Sequence, residues 1–314
     1  MKQYKVAILG ATGAVGREMM KILAERDFPV AELHLLASER SVGQLLPWKG
    51  QDIAVELACD EAFKGMDIVL GAAENDIAKR FAPAIVKAGA VFVDNSSAFR
   101  MDPDVPLVIP EINPEDARKH KGIIANPNCT TIVSLVAINA LNQDSPIELL
   151  NEVERLGQGE PVEPKVFQYQ IAYNVIPQIG GEAFEGYTSE EMKMQNEGRK
   201  IMHLPELKVS CTCVRVPVVR SHSVSIVVRT REKISVERAR QLIAAAPGCR
   251  LVDDLANRRY PMPLETSDQD LVFVGRIRDD LTSDNGLNIW CCGDQVRKGA
   301  ATNAVQIAQL LVQE

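Results

Sequence analysis

The sequence lacks the marks of several large protein classes. No run of like charge interrupts it: 35 lysines and arginines stand against 42 aspartates and glutamates, and the net charge of −7 is spread along the chain without a basic block. That excludes a charge-built nucleic-acid surface. No apolar stretch approaches the roughly 20 residues needed to cross a bilayer, so no membrane partner is expected. Met1-Lys2-Gln3-Tyr4 leads straight into a strand-like run, which predicts no leader peptide. The seven cysteines are odd in number and scattered, which fits free thiols in a cytoplasmic protein. No metal site is expected among them. Cys211 and Cys213 share a face of an extended stretch and read as core thiols, and Cys291 and Cys292 point to opposite faces of a strand. What remains is 46% hydrophobic and 25% charged residues, an ordinary globular composition, over a length of 314 that suggests two domains.

The first half alternates strands and helices. Tyr4 to Leu9 reads as a strand, Gly10-Ala11-Thr12-Gly13-Ala14-Val15-Gly16 as a glycine turn, and Arg17 to Arg26 as an amphipathic helix. Glycines in that context let a backbone approach a dinucleotide pyrophosphate, and the helix N-terminus meets its charge. The spacing G-x-x-G-x-x-G is a variant of the usual fingerprint. A second strand, Ala31 to Ala37, ends in Ser38-Glu39-Arg40-Ser41. Ser38, Arg40 and Ser41 suit a 2′-phosphate, which favours NADP over NAD, provided that Glu39 points away. Strands are expected at 67–72, 90–94 and 122–125, with a helix at 76–87. The strand ending at Asp94 delivers Asn95-Ser96-Ser97-Ala98-Phe99-Arg100, where Arg100 is a candidate for an anionic substrate group.

The chain turns on Asn126-Pro127-Asn128-Cys129-Thr130-Thr131. Pro127 stops the preceding strand, and an apolar helix is expected from Ile132 to Leu141. Asn128 and Cys129 therefore sit at a helix N-terminus, with its unpaired N–H groups and partial positive charge. A cysteine there is biased toward thiolate, the form that attacks carbonyls; the alternative is a buried, inert thiol. An oxyanion formed by such an attack would need N–H donors near the helix start.

The second half reads as α+β. A strand is expected over Lys208–Val216, with Val209, Cys211, Cys213 and Arg215 on one face. Arg215 ends an otherwise uncharged face and needs an anion, either a substrate carboxylate or a structural partner. Glu190 and Lys193 are i, i+3 on a helix over Ser189–Met202, which by itself predicts an exposed ion pair. Of the four histidines, His34, His120 and His203 read as structural. His222 lies beyond Pro217, so alternation cannot place it with Arg215. Strands are expected at 224–229, 271–278 and 287–292, and helices at 235–245 and 300–312.

Seven ordered motifs together resemble the aspartate-semialdehyde dehydrogenases: residues 10–16, 94–100 and 125–131, then Glu-Glu-Met-Lys-Met at 190–194, Cys-Val-Arg-Val-Pro-Val at 213–218, Ser-His-Ser at 221–223 and the stretch 297–306. The resemblance implies an α/β fold with a Rossmann-like NADP-binding domain over residues 1–128, completed by a C-terminal helix at 298–314. A second α+β domain for catalysis and dimerisation would cover 129–297. It implies NADPH-dependent reduction of L-4-aspartyl phosphate to L-aspartate 4-semialdehyde and phosphate, in lysine/diaminopimelate, threonine and methionine biosynthesis, by a homodimer or homotetramer. Cys129 would be the nucleophile and His222 the acid/base group, a task in histidine's pH range. Arg215 would bind the substrate carboxylate and Glu190 its amino group, Arg100 and Lys193 the phosphate, and Asn128, beside the nucleophile, would also bind substrate. NADP contacts would fall on Gly10, Thr12, Gly13, Ala14, Val15, Ser38, Arg40, Ser41 and Gln295. N-acetyl-glutamyl-phosphate reductase, which shares the acyl-phosphate chemistry, is the neighbouring alternative.

The pattern breaks twice. Glu74 stands in a loop where many relatives carry small residues near the cofactor. More seriously, Asn142 to Ile147 runs directly into Glu148 to Arg155, where the family has a strand and a loop with a catalytic glutamine. Losing that strand would expose apolar surface and unpaired backbone. Intact flanking motifs favour residues dropped from the written sequence; a genuine deletion would suggest an inactive NADP-binding scaffold instead.

Overall fold

The computed structural model describes residues 2–129, 131–133, 155–158, 161–162, 164 and 167–312. Thr130, the apolar helix beyond Val133 and the junction at Ile147 and Glu148 lie outside the described residues. The chain divides into two units. One comprises Met1–Ile132, Lys200–His203 and Gly299–Glu314, the other Val133–Arg199 and Leu204–Lys298.

The first unit is built on strands β1 (Tyr4–Leu9), β2 (Val30–Ala37), β3 (Leu45–Trp48), β4 (Gln51–Leu57), β5 (Ile68–Gly71), β6 (Val91–Asp94) and β7 (Ile123–Ala125). They form one sheet in the order β3-β4-β2-β1-β5-β6-β7. Every pairing is parallel except β3 with β4. Val6 to Leu9 and all of β5 are buried, as parallel strands covered on both faces require. Helix α1 (Ala14–Glu25) buries Met19, Met20, Ile22 and Leu23 at helical spacing against one face. Helix α2 (Asn75–Lys87) buries Ala78, Phe81, Ala82 and Ile85 against the other. Strand order reverses at β1, which lies between β2 and β5. The carboxyl ends of β1 and β5 therefore mark where such a sheet binds its ligand.

The second unit holds a sheet of β10 (His222–Arg229), β13 (Gly286–Gly293), β12 (Val272–Asp279) and β11 (Cys249–Leu251), in that order. A small hairpin, β8 (Glu182–Phe184) with β9 (Tyr187–Thr188), precedes helix α3 (Ser189–Ile201). Val224 and Ile226 alternate with exposed Ser225 and Val227, so one face of β10 enters the core. Helix α4 (Val236–Ala245) covers that core through Ala239, with Val236 and Ile243 at its margin. Ser235 caps α4 by accepting from the Arg238 N–H at 3.1 Å.

One expected strand does not form. Residues 208–216 keep their alternation, with Cys213 buried and Ser210 and Thr212 exposed, but among the described residues their one ladder contact is the Ile176–Arg215 bridge. Side chains of α3 take the place of a strand partner: Gln195 Oε1 accepts from the Val209 N–H at 3.1 Å and Glu191 Oε1 from the Cys213 N–H at 2.8 Å. Glu191 also closes a capping box with Thr188, accepting from its N–H at 2.7 Å while its own N–H meets Thr188 Oγ1 at 3.4 Å. Burial alone would raise the Glu191 pKa, but the hydrogen bonds from Thr188 and Cys213 outweigh it and lower the value.

Candidate active site

The glycine turn is shaped for close approach. Gly10 has φ +89°, and a Cβ there would lie 2.5 Å from the Ala72 carbonyl oxygen. A Cβ on Gly16 would lie 2.4 Å from the Gly10 carbonyl oxygen, so this glycine packs helix against strand. Gly13 is the N-cap of α1, with no side-chain cap and no acidic residue in the first turn. Gly13 and Ala14 are exposed, Thr12 and Val15 half-buried, and an anion therefore meets the helix N–H groups without a competing carboxylate. Glu39–Ser41 forms a short turn at the end of β2, opened by Ser38. Arg40 is exposed and, among the described residues, neither it nor Glu39 makes an ion pair, so the guanidinium is available for a 2′-phosphate. Glu74 is exposed at the start of α2, where its carbonyl accepts the first helical hydrogen bond from Ala78.

Cys129 is the first residue of a helix. Asn128 is its N-cap: the Asn128 carbonyl accepts from the Ile132 N–H at 2.8 Å and Oδ1 from the Thr131 N–H at 3.4 Å. Cys129 is 8% exposed. Gly299 makes room for it, since a Cβ on Gly299 would stand 2.9 Å from Cys129 Cβ and 3.3 Å from its Cα. The strand leading to the cysteine is tied by amides that the sequence reading did not single out. Asn126 donates from Nδ2 to Asn95 Oδ1 and accepts at Oδ1 from Asn303 Nδ2 at 2.7 Å. Asn303 Nδ2 also reaches the Val108 carbonyl at 3.1 Å. Asn126 and Asn303 have no exposed surface.

Arg100 is buried rather than superficial. Its Nε donates to the Asn126 carbonyl at 3.0 Å and one Nη to the Asn95 carbonyl at 2.9 Å. It thereby joins the loop after β6 to the approach to Cys129. Lys200 holds the following turn, donating Nζ to the carbonyls of Arg100, Asp102 and Val105 at 2.8, 2.9 and 2.9 Å. Asp94 is fully buried. Desolvation raises its pKa, opposed by hydrogen bonds from Ser96 and the charge of Arg100.

The other candidates lie in the second unit. His222 opens β10, opposite Gly293, and is 3% exposed. Its Nε2 is buried and, among the described residues, has no hydrogen-bond partner. Burial pushes its pKa down to about 3, so the resting imidazole is neutral. Gln295 Oε1 accepts from the Ser221 N–H at 2.7 Å, next to the histidine. Arg215 is half-buried, and its guanidinium carbon lies 4.7 Å from the centre of the Phe167 ring. Glu190 and Lys193 form the expected i, i+3 pair at 2.8 Å, but with side chains only 13% and 31% exposed. Within each unit the candidates thus gather into sets: Arg100, Asn128 and Cys129 with the asparagines in the first, His222 with Gln295 in the second.

A dinucleotide fold followed by a cysteine at a helix start and a separate α+β unit is the plan of the semialdehyde dehydrogenases. The family model for the semialdehyde dehydrogenase NAD binding domain matches residues 5–120, and that for the semialdehyde dehydrogenase dimerisation domain matches 137–298. The aspartate-semialdehyde dehydrogenase of Synechocystis sp. is 48% identical over 98% of this chain and 97% of its own. That of Aquifex aeolicus is 48% identical over 99% and 98%. A crystal structure of aspartate semialdehyde dehydrogenase II from Vibrio cholerae, complexed with ASA, superposes with a TM-score of 0.96 at 41% identity, covering 100% of this chain and 99% of that one. The aspartate semialdehyde dehydrogenase of Candida albicans, with NADP, gives 0.72 at 26% identity, covering 99% of both. The chain belongs to the aspartate-semialdehyde dehydrogenase family. It carries that family's dimerisation domain, and among the described residues no helix is long and apolar enough to cross a membrane.

Proposed function

We propose that the protein reduces L-4-aspartyl phosphate to L-aspartate 4-semialdehyde and phosphate with NADPH, reversibly, through a thioester on Cys129, and works as a homodimer or homotetramer. The observation that carries this reading is Cys129 itself: the first residue of an Asn128-capped helix, with Gly299 leaving space against its Cβ. Neutral His222 takes the Cys129 thiol proton as the sulfur attacks the acyl carbon, the carbon–oxygen bond to phosphate breaks, and the phosphate leaves as an anion. NADPH held at the glycine turn of residues 10–16 would supply the hydride that the acyl carbon accepts. The carbon–sulfur bond then breaks, releasing the aldehyde, and the proton that restores the thiol comes from His222. As a neutral imidazole His222 can take that proton again in the reverse direction.

The residues present suit NADP. Gly10 and Gly16 leave backbone where a side chain would collide, the first turn of α1 has no acid, and among the described residues Arg40 has no carboxylate partner. Arg215 would take the substrate carboxylate and Glu190 its amino group, with Arg100 and Lys193 on the phosphate. Gln295 would contact the cofactor.

Phosphate- and NADP-dependent oxidation of the semialdehyde is the direct test, and Cys129→Ser should abolish it. A full-length protein without turnover, or a serine variant that changes nothing, would refute the reading. Rates on the N-acetyl-glutamyl analogue separate the neighbouring enzyme; the named relatives favour aspartate. The scaffold alternative has one specific motive. The relatives align over 329 and 336 positions against 314 residues here, so each carries residues that this sequence lacks. An intact mass above that of 314 residues would remove the motive.

A further inference from the structure

The ladder between β10 and β13 stops at its first pair, His222 with Gly293. Beyond that pair the main chain cannot continue the pattern, because Ser221 has φ +79°, in the left-handed region that a serine seldom enters. Side chains join the two strands there instead. Gln295 Oε1 accepts from the Ser221 N–H at 2.7 Å, and Arg220 Nε lies 2.7 Å from Asp294 Oδ2. Ser221 Oγ meets Thr266 Oγ1 at 2.5 Å, and Ser267 Oγ donates to the Arg220 carbonyl at 3.3 Å.

Asp294 is the hub of this arrangement. It has no exposed surface, and besides Arg220 it gathers three main-chain N–H groups: Asp268 at 2.6 Å on Oδ2, and Val296 and Arg297 at 2.9 Å each on Oδ1. A buried carboxylate is tolerable only when paired and hydrogen-bonded in this way. Removing its charge would leave Arg220 Nε facing a neutral amide, with the exposed Asp268 carboxylate 3.1 Å from one Nη as the remaining counter-charge, and would loosen the turn on which His222 depends.

We infer that Asp294, through Arg220 and together with Gln295, is a positioning residue for His222. The pair Asp294-Gln295 replaces the missing ladder rungs at the end of β10 and holds Arg220-Ser221 in the left-handed turn that sends the imidazole into its buried place. The inference rests on His222 being the acid/base group. It assigns Gln295 a structural hydrogen bond through Oε1 in addition to any contact its amide makes with the cofactor.

The test is a double-mutant cycle on the full-length enzyme, using kcat for semialdehyde oxidation, NADP binding by fluorescence titration and thermal melting. Asp294→Asn should lower kcat by about tenfold or more, a part of the roughly 10²–10⁴-fold that a well-placed acid/base group contributes. The KM for semialdehyde and the Kd for NADP should stay within about twofold, and Asp294→Glu should recover part of kcat. In a His222→Ala background Asp294→Asn should lower kcat no further, because residues acting as one unit do not add. Equal loss in both backgrounds would overturn the inference while leaving His222 catalytic. A His222→Ala enzyme with full kcat would instead overturn the acid/base reading beneath it. Should Asp294→Asn fail to fold, Arg220→Gln, at a partly exposed side chain, enters the same cycle with the same two outcomes.

Discussion

Gly299→Ala tests how closely Cys129 is placed. The new Cβ would lie 2.9 Å from Cys129 Cβ, 3.3 Å from its Cα and 3.4 Å from its carbonyl oxygen. Relaxed carbon–carbon contact needs about 3.5–4.0 Å, so the two segments must part by roughly 0.6–1 Å. Two of the three crowded atoms are backbone, and no rotamer change relieves them; the first turn of the Cys129 helix must move. Overpacking of this kind costs about 1–3 kcal/mol, offset by about 1 kcal/mol because alanine favours a helix over glycine. Net stability should therefore fall by at most about 2 kcal/mol. Catalysis should suffer more, since a displacement near 1 Å at the reacting atom costs up to about a hundredfold. Without phosphate the enzyme can make one thioester and one NADPH per site, so the stopped-flow burst isolates the step at the cysteine. We expect the burst to slow by about 10–100-fold with NADP affinity unchanged. A burst within about twofold of wild type, with an unaltered melting curve, would show that Gly299 does not set the position of Cys129.

Asn303→Ala should strip Asn126 Oδ1 and the Val108 carbonyl of buried donors, at about 1–3 kcal/mol per unsatisfied group, read by urea denaturation; a loss under about 0.5 kcal/mol would mean that water replaces the amide. Arg40→Ala should weaken NADPH binding, with little effect on NADH, in parallel fluorescence titrations; equal loss for both would place Arg40 away from the 2′-phosphate. Glu191→Gln should be destabilised at neutral pH and less so in acid. The folded pKa of Glu191 lies below its ordinary value of 4.5, so its stabilisation is complete above that value and is lost as pH falls through the lower folded one. Melting curves of both proteins from pH 7 to about 3 check the sign, and a gap that widened in acid would contradict it.

Local features were legible and long-range ones were not. Gly10 and Gly16 could be read because strand, turn and helix are contiguous, and each glycine answers to a backbone collision nearby. The helix start at Asn128 and Cys129 was equally readable, because Pro127 ends the strand before it. Gly299 was written in a motif, but its purpose is space for Cys129, and nothing local reveals that neighbour. The amide bond from Asn303 to Asn126 spans 177 positions and has no periodic signature. The β3–β4 hairpin escaped because its turn is Lys49-Gly50, both at positive φ, instead of the usual Asn-Gly. Thr188-x-x-Glu191 is a capping-box pattern that was available in the sequence, hidden by the neighbouring Glu190–Lys193 spacing. The strand over 208–216 was misread because alternation reports two faces, not a partner, and here the partner is a helix.

The cost of the site argues for the enzyme over the scaffold. An NADP-binding scaffold needs the glycine turn, the open first turn of α1 and Arg40. It has no use for Ser221 at φ +79°, or for an imidazole whose buried Nε2 finds no partner among the described residues. Nor does it need an Asp94 whose pKa is raised by desolvation. Strained backbone and orphaned polar atoms each cost on the order of 1–3 kcal/mol, a large share of a domain's net stability. Each of these features lies beside or on a residue with a proposed part in the chemistry: Ser221 before His222, Asp94 in charge contact with Arg100. Substitutions that relieve them, such as Ser221→Gly, should raise or preserve stability while lowering turnover. The opposite pattern, full activity from a relieved site, would take away this reason for preferring the enzyme.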